Sequence, residues 1–248
     1  MTKQVSQKLL DLVEKDKEHS CAGYGTDHVC VRAAGVADLP TEFGHFNIVA
    51  FWNNRDEKDH IAIVHGEVVG LENVPVRLHS ECLTGDALGS LRCDCRDQLK
   101  VSLQRIAEEP FGIVLYLRQE GRGIGLLNKI RAYQLQDGGL DTVEANLALG
   151  FRDDERDFAV AAHMLHSLGI KSVRLMTNNP KKVDELRQYQ VNVVERLPHI
   201  IPPNEHNRFY LETKSRRSGH WIDFSGHPHL PEQADGIQVA GMASTDPE

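Results

Sequence analysis

This sequence predicts a mixed α/β fold in one layered domain, with antiparallel strands first and helices alternating with strands after them. Two observations carry that expectation. Short apolar runs follow one another at NIVAF (47–51), HIAIVHGEVVG (60–70) and VPVRLHS (74–80), each rich in β-branched residues and bounded by Asn, Asp, Gly or Pro. Beyond residue 95, apolar positions at helical spacing alternate with continuous apolar runs, the pattern of helices laid against buried strands.

The elements follow in order. Leu9, Leu12 and Val13 among charges predict a short amphipathic helix within residues 3–18. The Gly-rich stretch after it supports no assignment, so residues 1–38 read as an amino-terminal extension of helix plus irregular segment. Residues 39–220 read as the layered domain itself. After the three strands, Leu99, Leu103 and Ile106 share a helical face, and FGIVLYL (111–117) reads as a buried strand. Leu126, Ile130 and Tyr133 mark a helix that the DGG at 137–139 ends. Asp154 is placed to cap a helix through Leu168, with Phe158, Ala161, Leu165 and Leu168 inward and Gly169 closing it. Residues 172–176 form a strand, Asn179 and Pro180 open the next helix, and 191–194 complete the series. Few bulky apolar residues occur in 221–248, which read as a mobile tail.

Composition narrows the function. The chain has 248 residues, 40% hydrophobic and 26% charged, enough to bury a core. A formal charge of −8 argues against a general nucleic-acid binder, which needs a basic face. No apolar run approaches the ~18 residues of a membrane helix. Charges interrupt the amino terminus every few residues, so no secretory signal is expected and the address is cytoplasmic by default.

Five cysteines, an odd number, argue against a disulfide framework. Cys21 and Cys30 stand apart, with no readable role. Cys82, Cys93 and Cys95 form C-x10-C-x-C within HSECLTGDALGSLRCDC, and three soft thiolates suit Zn²⁺ in tetrahedral geometry. Without a second knuckle, one position stays open for water, although three thiolates weaken the acidification of that water. Buried free thiols are the bland alternative. His79 as a fourth ligand would make the site structural.

Anion-binding elements surround this cluster. RQEGRGIGLLNKIRAY follows a predicted strand, its glycines let backbone approach a ligand, and Arg118 and Arg122 offer planar two-pronged donors. TNNPKK (177–182) joins a strand end to a helix start and adds Lys181 and Lys182. For Arg118, Arg122, Lys129 and Arg131 as a run, a solvated helix face is the plain expectation. GFRDDERDF has four acids and two arginines at 152–157; an arginine at a first helical turn is disfavoured, so Arg156 is expected to be held by Asp154 or Asp157.

The segments HSECLTGDALGSLRCDC, LYLRQEGRGIGLLNKIRAYQLQD, DTVEANLALGFRDDERDF and VRLMTNNPKK resemble, in order, the signature segments of GTP cyclohydrolase II, which opens riboflavin biosynthesis. The resemblance implies zinc- and Mg²⁺-dependent hydrolysis of GTP to formate, pyrophosphate and a diaminopyrimidinone phosphate. It implies that Cys82, Cys93 and Cys95 hold the zinc. It implies that Arg156 acts toward the α-phosphate as nucleophile or electrostatic stabiliser, that Asp154 accepts its proton, and that Tyr133 serves ring opening. The implied nucleotide contacts are Arg77, Leu78, His79, Ser80, Glu81, Gln98, Glu120, Gly121, Arg122, Thr142, Thr177 and Lys182, with Glu120 and Gln98 available to read guanine. A homodimer is implied by the same analogy. The chain departs from the family at Arg96-Asp97, where Gly and an aromatic residue are usual. A paralogue that stops at a formamidopyrimidine, or serves pyrimidine catabolism, shares these motifs, as does a non-catalytic nucleotide- or zinc-binding regulator.

Overall fold

Strands of period-two alternation pair where one face can be buried, and the first third of the chain does this three times over. The computed structural model describes residues 5–20, 23 and 28–221. Strands β1 (Val31–Thr41), β2 (Gly44–Asn53) and β3 (His60–His65) form an antiparallel meander, with a register shift between Ala33 and Gly35. Strand β1 starts at Val31 and crosses the boundary that the sequence reading set between the extension, ending at 38, and the domain beginning at 39. Helix α1 (Gln7–Asp16) is tied to it: Leu9 lies in the main core, and the buried Asp16 carboxylate accepts from Ala33 N at 2.7 Å and Ser167 Oγ at 3.2 Å. Strand β3 stops at His65, shorter than the apolar run suggests. Left-handed Gly66 (φ 63°) turns the chain there, where a Cβ would lie 2.4 Å from Pro110 O.

The third expected antiparallel strand is a correction. Strand β4 (Val74–Ser80) is parallel to β5 (Gly112–Leu117) and to β6 (Val173–Met176), and β7 (Val193–Leu197) extends the parallel half. The sheet order is β1-β2-β3-β5-β4-β6-β7. The reason is the crossover through α2 (Cys95–Glu108), which returns the chain in the same direction. Both faces of β4 are therefore covered, and Val74 through His79 are buried despite their alternating polarity. Strand β5 joins the halves, antiparallel to β3 and parallel to β4.

Two cores flank the sheet. The larger unites α1, the strands and α5 (Ala159–Ser167) through Val76, Leu78, Leu115, Phe158 and Leu165. The smaller packs Leu103 and Ile106 of α2 on Phe46, Ile63 and Val114, as the shared helical face predicts. Asp154 does not cap α5; Phe158 precedes it and Asp157 Oδ1 accepts from Ala159 N at 2.6 Å. The Asp154 carboxylate is drawn instead to Arg156, which keeps 152–157 irregular. Gly169 (φ 68°) closes the helix as expected. Helix α3 (Gly125–Asp137) forms where foreseen, with Leu126 and Ile130 exposed.

Helices α4 (Thr142–Ala148), α6 (Pro180–Gln188) and α7 (Arg208–Ser218) complete the fold. Asn179 Oδ1 caps α6 at Lys181 N, 3.0 Å, as foreseen, whereas α7 was not anticipated. No helix among the described residues is long and apolar enough to cross a membrane. Of the tail expected at 221–248, residues 222–248 lie outside the described residues, as does Cys21. The carboxyl ends of β4, β5 and β6 open on one edge, the position at which parallel α/β sheets bind ligands.

Candidate active site

Strand β4 delivers its last residues to that edge. Leu78 points into the core with no exposure, so only its backbone faces the site, where its carbonyl accepts from Lys182 Nζ at 2.7 Å. Arg77, His79 and Ser80 line the cleft. A one-turn π-helix (Leu83–Ala87) follows Cys82, and the Asp86 carboxylate gathers Cys82 N (3.0 Å), His79 Nε2 (3.0 Å) and Tyr116 Oη (2.9 Å). His79 therefore braces the turn, and the cluster of three sulfurs does not include it.

The sulfurs of Cys82, Cys93 and Cys95 lie within 4.8 Å of one another. A Cβ at Gly85 would stand 2.8 Å from Cys93 Sγ and 3.1 Å from Cys82 Sγ, so the turn closes on the thiols only because that position is glycine. This donor set, three soft sulfurs in a cradle, fits zinc. Hydrogen bonds from the other two thiols and the Lys129 ammonium push Cys82 down, while its bond to Cys82 pushes Cys93 up to about 11. Lys129, expected on a solvated face, is buried with Nζ 3.1 Å from Cys82 Sγ and 2.7 Å from Glu120 Oε1. Glu120 also accepts from Leu83 N and Gly121 N, so every bond it makes is internal to the turn. Tyr133 Oη lies 3.2 Å from Thr84 Oγ1, which is 3.6 Å from Cys82 Sγ. Burial pushes the Tyr133 hydroxyl up and keeps it protonated.

A second chamber adjoins the thiols. Arg77, Arg122, Arg156, Lys182 and Lys214 line it together with one buried acid, Asp94. Burial, with Asp94 opposing, brings Arg77 down to about 10, and burial with Arg77 and Arg156 pushes Lys182 well below its ordinary value. Such a surplus of desolvated positive charge favours an anion in the chamber. Buried Arg77 Nε, Arg122 Nη2, His199 Nδ1 and His220 Nδ1 have no partner, as a polar ligand site requires. Gln98 bridges Arg77 and Asp94 and so belongs to this chamber. Thr177 lines it too, its Oγ1 accepting from Asn179 N at 3.0 Å.

Arg156 stands in both chambers. Its Nε donates to Asp154 Oδ1 at 2.8 Å and its Nη2 to Oδ2 at 2.6 Å, while Nη1 reaches Ser80 Oγ at 3.4 Å. Burial works against the Asp154 charge, but the bonds and charge of Arg156 hold this carboxyl well below the usual range. Gly121 and Arg122 take left-handed backbone (φ 63° and 59°), which aims the Arg122 guanidinium at Asp153. Glu81, Gly121 and Thr142 line the thiol chamber with Tyr133. Ser80, Cys95, Arg122, Arg156 and Tyr210 line both chambers.

The GTP cyclohydrolase II family model matches residues 31–198. This chain belongs to that family. Among GTP cyclohydrolase II relatives, a Picrophilus torridus protein called GTP cyclohydrolase-2 is 56% identical over 184 residues, 74% of this chain and 95% of its own length. One of the same name from Proteus mirabilis is 56% identical over 192 residues, 77% of this chain and 96% of its own. The riboflavin biosynthesis protein RibBA of Synechocystis is 52% identical over 194 residues, 77% of this chain but 35% of its own. The cation chamber of this GTP cyclohydrolase II family member is also lined by residues that sequence reasoning missed: Asp94, His199, Tyr210, Lys214 and His220. Asp94 sat in plain view between two cysteines; the other four lie past every motif, and only the folded chain brings them in.

Proposed function

We propose that this chain hydrolyses GTP to 2,5-diamino-6-(5-phosphoribosylamino)pyrimidin-4-one, formate and pyrophosphate, the first step of riboflavin biosynthesis. The observation that carries the reading is the two-chambered cleft, with thiols at one end, cations at the other, and Arg156 in both. Cys82, Cys93 and Cys95 would hold zinc, which when bound supplies Lewis-acid activation at the base end. Mg²⁺ enters with the triphosphate as part of the substrate. Three waters are consumed: one cleaves the phosphoanhydride, one opens the imidazole to a formamide, and one releases formate.

The chain's own residues bind and orient. Arg77, Arg122 and Lys182 hold the phosphates, whose charge compensates the crowding of cations. Arg156, clamped by two bonds to Asp154, stays protonated and stabilises the charge developing at the α-phosphate; that pairing favours a stabiliser over a nucleophile, because an ionised guanidinium has no free lone pair. Tyr133 holds a proton beside the thiols for the ring-opening step. Arg77, His79, Ser80, Glu81, Gln98, Glu120, Gly121, Arg122, Thr142, Thr177, Lys182 and the Leu78 backbone shape the nucleotide site, Glu120 and His79 by bracing it. A cytoplasmic homodimer completes the reading, supported by the exposed Leu126, Leu127, Ile130 and Leu147 on α3 and α4.

Metal analysis tests the proposal. Protein purified without chelator should carry one zinc per chain, and Cys93→Ser should lose zinc and formate release together. Zinc retained in full by that variant would reject the ligand set.

A further inference from the structure

Helix α7 lies beyond the last residue of the family match, 198, yet one of its faces looks into the cleft. Tyr210, Leu211 and Lys214 fall on that face and line the cation chamber, and Tyr210 lines the thiol chamber as well. The helix is fastened to the elements on either side of the cleft, α4 and the strand end before α6. Its carboxyl-terminal end is tied down twice: Arg217, in the last turn, reaches Asp141 Oδ2 at 2.8 Å and Glu144 Oε1 at 3.1 Å, and Trp221 N, just past the helix, donates to Asn178 O at 2.9 Å. Lys214 Nζ sits 3.1 Å from Asp94 Oδ1 and 4.2 Å from the centre of the Tyr210 ring, which fixes that ring by cation–π contact. Of the residues shared by the two chambers, Tyr210 is the one with an aromatic face. A nucleotide with its base at the thiols and its phosphates at the cations must lay its sugar at this junction.

We propose that α7 is a third wall of the nucleotide site, and that Tyr210 contacts the sugar of the bound guanosine nucleotide with its ring and donates its hydroxyl to a ribose or α-phosphate oxygen. The inference rests on the function proposed above. Burial pushes the Tyr210 hydroxyl up to about 12, so it remains a donor throughout the neutral range. Phe209, next to it, is 65% exposed and faces away, which supplies a control on the same helix.

The test uses the full chain with zinc bound, and reads KM for GTP and the Kd of a non-hydrolysable GTP analogue. Tyr210→Phe loses the hydroxyl alone and should weaken binding about 2–10-fold, while Tyr210→Ala should weaken it by more than about tenfold. Phe209→Ala should bind like the parent, and zinc content should be the same in all. Parent-like Kd and KM in Tyr210→Ala would overturn the proposal. Where Tyr210→Ala lowers Tm, hydrogen exchange on the parent decides: the analogue should slow exchange of the α7 amides, and slowing at residues 120–123 without slowing in α7 would overturn it. A parent that binds no analogue at all would overturn the proposed function itself, a distinct result.

Discussion

Gly85 shows how a single missing atom lets three thiols converge. The turn that follows Cys82 brings backbone so near the three sulfurs that any Cβ there would overlap Cys93 Sγ. Gly85→Ala should therefore splay the thiols and weaken zinc binding about 10–100-fold, the scale on which disturbed surroundings change metal affinity. Competition with a coloured chelator measures this, and an unaltered affinity would show that the turn is not part of the cradle. Residue identity alone made the three cysteines legible, because thiols at that spacing have few other uses. It did not reveal that Lys129 and Glu120 are mutually engaged, since a buried ammonium among exposed ones has no local signature. Gln98 and Glu120 looked free to read a base for the same reason: their partners Asp94, Arg77, Leu83 and Lys129 are neighbours only in space.

At the scale of elements, the strands and most helices were legible because hydrophobic period and capping are local. Asn179 and Pro180 start α6 and Gly169 ends α5 in the places their chemistry dictates. Parallel or antiparallel pairing is not local, and β4 was misread because the crossover through α2 decides it. Helix α7 escaped notice for a related cause: with Tyr210, Lys214 and charges on several sides, it has no clean apolar stripe. The elements around the cation chamber also set a pH dependence. Burial and Arg77 push His199 down to about 3 from its ordinary 6.5, and burial and Lys214 do the same to His220. Unfolding frees both to take protons below about pH 6.5. The stability tied to their neutral forms is thus complete above that pH and is lost as pH falls from 6.5 through 3. Tm should drop between pH 7.5 and pH 5, and His199→Gln should flatten the slope. A slope equal to that of the parent would remove His199 from the account.

The whole molecule is acidic, at −8, yet gathers five cationic side chains in one chamber. That contrast is what a sequence reading of bulk charge misses: the cations come from β4, the turn after β5, the loop before α5, α6 and α7, and fold topology alone collects them. Four motifs in register gave the family: three sit where β4, β5 and β6 run out into the cleft, and the fourth, 141–158, is α4 and the loop before α5, joined to them by the pairing of Arg122 with Asp153. The central claim is that one cleft unites thiol-held metal with a phosphate site and so takes apart both ends of GTP. GTP labelled with ¹³C at C8, incubated with Mg²⁺ and zinc-replete protein and followed by mass spectrometry, tests it most directly. The label should leave as formate, with one pyrophosphate for each formate and an unlabelled diaminopyrimidinone monophosphate remaining; label retained in a formamidopyrimidine, or GTP left intact, would contradict it.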